Sequence, residues 1–438
     1  MSCRDELVRL LSNLLKIDTS NPPGNESNAA GFLKDWLSQR GVESEILEFE
    51  KGRGNLFSRI KGSGEGPSLL LLSHTDVVPA DSARWRVPPF SGAVKDGYIW
   101  GRGALDMKSM VAVETMVFSE MVDKDLKGDL VLLATADEEK GGSGIVKMLE
   151  KAGEKIIANY VINEGGGEGI LTKNGWLFDI QTAERGVFWY RVQTKGSPAH
   201  GSVPGLGVNA IDRMRPLLNR VSEFKGACEK VNPSWKYVES LLKMMGLVTE
   251  REDISNVEIL LNKLAEVDKG LGESAKAMLQ VTMTPTMIQG GVKENVVPYE
   301  CKLTVDCRVP PGYSGERVKS MIMDLFHGLE YELEFIQESE PTVSPVDTPL
   351  YRVIENSLLK QVPGARLEPT TKTGGTDSRY FRRMGIPAYG FQPLMVEGNY
   401  YEWSRMVHGD NERISIENLL FCYRVLKQVV ESFMLKWS

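Results

Sequence analysis

At 438 residues, 42% hydrophobic and 25% charged, the chain can bury two cores and lacks the composition of a disordered segment. A net charge of -7 excludes the basic footprint of a nucleic-acid binder, and the longest apolar runs, such as residues 69–72, are strand-sized rather than membrane-spanning. The charged opening, without an export signal, and five cysteines without CxxC spacing predict a soluble protein of the reducing cytoplasm, with neither a disulfide framework nor a cysteine-zinc site. In chain order, helical spacing over 5–14 and 26–39 predicts two opening helices, broken by Asn21-Pro22-Pro23-Gly24. Strand-like runs at 55–60, 68–73, 129–135 and 160–163 then alternate with helical stretches at 108–121 and 144–151. That alternation predicts an α/β layer around a mixed, largely parallel sheet flanked by helices.

A different module starts near Glu184. A strand at 187–194, a helix from about Val208, strands at 282–289 and 301–309, a helix at 316–325 and a strand at 331–336 give the β-α-β-β-α-β order of a ferredoxin-like sandwich. A Leu-, Met-, Lys- and Glu-rich stretch over 232–278 reads as a helical insertion within it. After Pro341 the mixed pattern returns and ends in a helix over 415–435 that packs back on the first domain. The expected organisation is a domain of residues 1–183 and 341–438, interrupted by a module of residues 184–340.

Only four histidines occur, and three of them sit in polar motifs. His327 lies near a helix end before Gly328 and reads as structural. His74 closes an apolar strand, and the period of two puts Asp76 on the same face. The pair is either a satisfied polar contact or a metal ligand with its orienting acid. Asp106 follows the glycine-rich Gly101-Arg102-Gly103 and either caps the next helix or serves a site. Asp137-Glu138-Glu139 ends another strand: a solvated acidic turn, or three carboxylates whose repulsion a cation relieves. Glu164 follows a further strand, and His408-Gly409-Asp410-Asn411-Glu412 adds a second histidine flanked by acids. These signals share one address, the carboxyl ends of strands, where open α/β sheets place ligands. Histidines and carboxylates without cysteine suit zinc, manganese or cobalt in an open site.

These motifs, together with Trp100-Gly101-Arg102-Gly103, Asn163-Glu164-Gly165, His200-Gly201, Asn295-Val296-Val297-Pro298, Asp306-x-Arg308 and Gly374-Gly375-Thr376-Asp377, make the chain similar over nearly its whole length to the dinuclear zinc peptidases and deacylases: aminoacylase, acetylornithine deacetylase, succinyl-diaminopimelate desuccinylase and glutamate carboxypeptidase. The resemblance implies two divalent ions, zinc or else cobalt or manganese. His74 and Glu164 would complete one metal site, Glu139 and His408 the other, and Asp106 would bridge them. Asp76 would orient His74, and Glu138 would be the general base. A cis peptide would join Asp106 to Met107. The resemblance also implies a homodimer in which His200 reaches the partner's active site to stabilise an oxyanion, and substrate contacts from Asn295, Arg308, Gly375 and Thr376. For His200 the other reading is a loop histidine, and for Arg308 a salt bridge to Asp306. Asp137, Ser109 and Asp410 depart from the commonest family residues, and Glu184-Arg185-Gly186 lacks the paired arginines of the desuccinylases.

The implied activity is metal-dependent hydrolysis of the amide bond of an N-acyl amino acid or of a short peptide with a free carboxylate. Acetylornithine deacetylase, succinyl-diaminopimelate desuccinylase and a non-catalytic metal-binding relative are the narrower and rival readings. A two-metal nuclease lacks the basic groove that a phosphodiester needs. No nucleic-acid or membrane partner is expected.

Overall fold

The computed structural model describes residues 2–231, 233–249 and 256–436. Its large sheet forms around apolar strands buried on both faces. In Leu69–His74, Leu69 and Leu71 enter the core on one side while Leu70 and Leu72 enter the core on the other, as a period of two requires. Leu130–Thr135 does the same with Leu130 and Leu132 against Val131 and Leu133. On the first face lie helices Cys3–Leu15, Lys108–Ser119, Pro349–Gln361 and Ile416–Leu435; on the second lie Ser143–Ile156 and Ser378–Arg383.

The sheet has eleven strands. Its four central ones, Leu130–Thr135, Leu69–His74, Tyr160–Asn163 and Ala388–Gly390, run parallel, in register His74 to Thr135, Leu71 to Ile162 and Tyr389 to Ile162. Their carboxyl ends therefore share one edge of the molecule. Antiparallel strands flank them, Arg53–Ile60 and Glu45–Glu50 on one side and Gly175–Glu184 on the other. Gly175–Glu184 also pairs in parallel with Arg366–Lys372, bringing Lys372 beside Glu184.

The small module has four antiparallel strands in the order Thr282–Gly290, Glu300–Val309, Gly186–Lys195, Glu332–Ser339, with helices Ala210–Glu223 and Gly315–Leu325 on one face. Phe188, Tyr190 and Val192 alternate into that core, while Trp189 between them stays partly exposed.

The helical insertion packs on the large sheet. It forms helices Ser234–Met244, Val257–Val267 and Lys269–Leu279, whose Val238, Leu241, Leu261 and Leu264 bury with Ile170 and Leu177 of the large sheet. Ser234 also donates to Thr371, and Ser240 to Glu368, both on Arg366–Lys372. The insertion leaves the chain within the small module yet thickens the large one, because its apolar faces find their area there.

Candidate metal centre and active site

The shared carboxyl edge assembles the centre. His74 ends its strand, residues 136–139 turn out of the next, and Glu164 leaves the third. Asp106 arrives from the loop ahead of Lys108–Ser119, with its peptide to Met107 in the cis form. Met107, whose sulfur accepts the His74 N–H and makes no capping bond, occupies the N-cap position, so Asp106 is not spent on capping. One Asp106 oxygen lies 3.2 Å from His74 Nε2 and the other 3.1 Å from His408 Nε2. Glu164 stands 3.7 Å from His74 Nε2, and Glu139 stands 3.1 Å from His408 Nε2. Two sets of ligand atoms, from His74, Asp106 and Glu139 and from His74, Glu138 and Glu164, each converge within 4.8 Å.

Several of these groups are held from behind. His74 Nδ1 donates to the Asp76 carbonyl at 3.0 Å, which turns Nε2 toward the acids, while the Asp76 carboxylate lies farther off at 3.5 Å. That carboxylate instead accepts the backbone N–H groups of Glu138 and Glu139 and the Asn21 amide. Asp76 thus fixes the turn that carries the two glutamates as well as the histidine. Asp137 points away from them: at φ 65° it turns back to bond Arg53 and Asn21, and Arg53 is in turn paired with buried Glu26. The expected repulsion among three acids is split, one neutralised by arginine and two left facing the centre.

Charge follows from this packing. Burial opposes a charged His74, but hydrogen bonds to Asp106 and Asp76 outweigh it and hold its pKa well above the usual value. Hydrogen bonds to Asp106 and Glu139 draw His408 up to about 10. Burial would also raise Asp106, yet the two histidines pull it below the ordinary carboxylate range. Burial, with Asp106 beside it, pushes Glu164 up to about 7. Burial and then Glu164 push Glu138 well above its ordinary range, the surroundings of a group that takes up and keeps a proton. Glu139 Oε1 is buried without a hydrogen-bond partner. An acid cluster that draws protons onto both histidines and leaves a buried carboxylate oxygen unmatched fits cations in their place.

The other expected site residues lie elsewhere. His200 is exposed on the small module, its Nδ1 2.7 Å from the Ser202 hydroxyl. Its backbone bridges to Val296, beside Asn295, whose carbonyl accepts from Gly201. Arg308 is held in a two-point ion pair by Asp306, at 2.8 and 3.2 Å. Thr376 is fully buried and donates to Glu184 at 2.6 Å. Gly375 lies under Arg379, where a side chain would collide with the guanidinium. His327 follows Gly315–Leu325 and bonds back to Asp324 through its N–H.

Three further residues shape the centre. The buried Glu412 carboxylate accepts the N–H groups of Gly103, Leu105 and Asp106 and the Arg102 guanidinium, fixing the loop that presents Asp106. Its place four residues after His408 was the available signal. Asp377 accepts from Thr135 while its other oxygen is buried without a partner, and burial raises its pKa to about 6. Lys372 packs its stem against Gly165 beside Glu164, with no motif to announce it.

Residues 70–432 match the model of peptidase family M20/M25/M40. The chain belongs to that family. It is a hydrolase of the metallopeptidase class. It is 26% identical to the N-fatty-acyl-amino acid synthase/hydrolase PM20D1 of Xenopus tropicalis, over 98% of this chain and 86% of the relative. It is 28% identical to a probable succinyl-diaminopimelate desuccinylase of Staphylococcus aureus, over 86% of this chain and 87% of the relative. Among solved structures, the fold is similar to the M20 metallo-carboxypeptidase Sso-CP2 of Sulfolobus solfataricus, with a TM-score of 0.74 at 20% identity and coverage of 98% and 99%. It is also similar to Bacillus subtilis YXEP, described as a dinuclear metal-binding M20 peptidase, with a TM-score of 0.61 at 13% identity and coverage of 97% and 96%.

Proposed function

We propose that the protein cleaves the amide bond of an N-acyl amino acid or of a short peptide with a free carboxylate, using two divalent cations. The observation that carries this reading is Asp106, whose two oxygens face two different histidines at 3.2 and 3.1 Å, the posture of a bridging ligand. His74 and Glu164 complete one ion's set, and His408 and Glu139 the other's. Zinc suits these nitrogen and oxygen donors, with cobalt or manganese as alternatives. Bound there, the ions supply a water of lowered pKa and polarise the scissile carbonyl. Glu138 takes the proton from the attacking water and delivers it to the leaving nitrogen. Asp76 holds the Glu138 amide and the His74 ring in position.

His200 completes the site of a second copy of the chain, where its imidazole stabilises the oxyanion, and Asn295 beside it contacts that substrate. Support comes from the exposed edge strand Thr282–Gly290, which offers unpaired backbone and the outward side chains of Met287 and Ile288 to a partner. Gly375 and Thr376 border the substrate through their loop rather than through the buried Thr376 hydroxyl. No helix among the described residues is long and apolar enough to cross a membrane. The five free cysteines fit the reducing cytoplasm in which the enzyme is placed here. The two domains are read as residues 1–183 with 341–438, and 184–340.

The test is hydrolysis of N-acetyl amino acids, acetylornithine, succinyl-diaminopimelate and dipeptides by protein loaded with zinc, cobalt or manganese. Cleavage within this panel is expected, with two metals per chain. Two bound metals without any cleavage would transfer the assignment to a metal-binding relative without activity.

A further inference from the structure

His408 is held differently from His74. The Asp76 carbonyl fixes the His74 ring from behind, whereas His408 is half-exposed and, among the described residues, no hydrogen bond holds its Nδ1. Its place has to come from its main chain. That main chain winds on from the short helix Tyr400–Ser404: the Met406 N–H donates to the Trp403 carbonyl, the Gly409 N–H to the Met406 carbonyl, and a side chain at Gly409 would strike the Arg405 carbonyl. The start of this helix is held by the insertion. Asp268, between Val257–Val267 and Lys269–Leu279, caps the latter by accepting the Leu271 N–H with one oxygen at 3.1 Å. Its other oxygen accepts the N–H groups of Tyr400 at 2.8 Å and Tyr401 at 3.4 Å. One carboxylate thus serves two helix starts, each with free N–H groups that favour it. Gly270 permits the approach, since a Cβ there would lie 2.8 Å from the Tyr401 Cα. From the large sheet, Glu168 accepts from Trp403 at 2.7 Å and from Tyr400 at 3.2 Å.

We infer that the helical insertion is a brace for His408, and that Asp268 is the positioning residue through which it acts. The inference rests on the proposed two-metal reading and deepens it. A histidine without a bond behind its ring meets a cation only where its main chain puts it, and a misplaced donor atom costs affinity. Asp268 touches neither metal nor substrate. It anchors the helix start from which His408 follows, as Glu412 anchors the loop of Asp106. The ion held by His408 and Glu139 therefore depends on the insertion, and the ion held by His74 and Glu164 does not.

Zinc titration of the full chain against a chromophoric chelator should resolve two binding steps in wild type. Asp268→Ala should weaken one step by about 10- to 100-fold and leave the other within about threefold. His408→Ala should abolish the same step, and adding Asp268→Ala to it should change the remaining affinity no further, as coupled residues require. Gly270→Ala, which drives a methyl against the Tyr401 backbone, should weaken that step too. Asp268→Asn, which keeps one accepting oxygen, should lose less than Asp268→Ala. These two variants carry the test if Asp268→Ala does not fold. Ser240→Ala cuts a different bond between the insertion and the large sheet, the one to Glu368, and should leave both steps unchanged. Site-selective loss in a protein that cleaves none of the substrate panel would keep the brace and remove the hydrolase reading. Cleavage together with unaltered zinc binding in Asp268→Ala would do the reverse. Equal weakening of both steps, the same loss in Ser240→Ala, a further loss on top of His408→Ala, or fewer than two zinc ions in wild type would also overturn the inference.

Discussion

The large sheet and the small one treat their polar residues in opposite ways. On the large sheet, acids at three strand ends and a loop converge, and buried partners fix two of the segments that carry them, Asp76 beneath the glutamate turn and Glu412 beneath the Asp106 loop, while Arg53 neutralises Asp137 facing away. On the small module, the exposed His200 imidazole is bonded to Ser202, and Arg308 is bonded to Asp306 two residues away. On the proposed function, one half of the site is preassembled within a chain, and His200 is a side chain satisfied locally until a second copy meets it. Preorganisation belongs where charge must be held without reorganising. On that proposal, the small module carries what has to arrive.

That contrast breaks first at Asp106 and Glu138. Asp106→Ala should remove both metals and all detectable turnover, read by metal analysis beside the assay. Glu138→Ala should keep both metals and lose about 10²- to 10⁴-fold in kcat. Undiminished hydrolysis by Glu138→Ala would remove it as the base. His200→Ala should come next, with a loss of roughly 10²- to 10³-fold in kcat at unchanged metal content. Mixing His200→Ala chains with Glu138→Ala chains should restore activity, because a mixed dimer holds one intact site. No recovery in chains shown to exchange would place His200 in its own chain's site or in none.

Glu412→Gln sharpens the comparison from beneath. An amide in place of this carboxylate keeps one acceptor and turns N–H against N–H, which should cost about 1–3 kcal/mol of stability. Metal affinity should weaken by about 10- to 100-fold, as for other residues that orient a ligand from behind. Unchanged zinc affinity in a competition titration would show that the Asp106 loop holds its shape without it.

The sheet edge was legible in the sequence because fully buried strands read as unbroken apolar runs, so the first polar residue after each marks the edge. His74, Glu164 and the 137–139 acids were found that way. The pairing of Asp106 with both histidines needed the family motifs, since a lone aspartate before a helix reads equally as a cap. What stayed hidden depends on which surface meets which. The apolar faces of Ser234–Met244 and Val257–Val267 announce burial but not their address, and they bury on the large sheet although the chain leaves from the small one. Thr376 sits in a recognisable loop, yet its hydroxyl is turned inward to Glu184. Lys372 closes a strand just ahead of the Gly374-Gly375-Thr376-Asp377 loop, and that motif does not extend to it.

The smallest effect on turnover is expected at Glu114, a large-sheet acid without the support that the others have. It lies in the middle of Lys108–Ser119, fully buried, with neither oxygen in a well-formed hydrogen bond among the described residues, and burial, only partly offset by the Ser73 hydroxyl, raises its pKa to about 8. In the unfolded chain the same carboxyl loses its proton near its ordinary value of 4.5. Between those values the folded state holds more protons than the unfolded state, so the stability present below about pH 4.5 is lost as the pH rises through 8. Glu114→Gln cannot ionise and should remove that slope. The variant should match wild type near pH 5, exceed it at pH 8 by an amount on the order of a few kcal/mol, and keep its kcat. Denaturant titrations at the two pH values decide it. Parallel behaviour of the two proteins would mean that Glu114 finds a partner on ionising, and that burial on the large sheet need not be matched in advance.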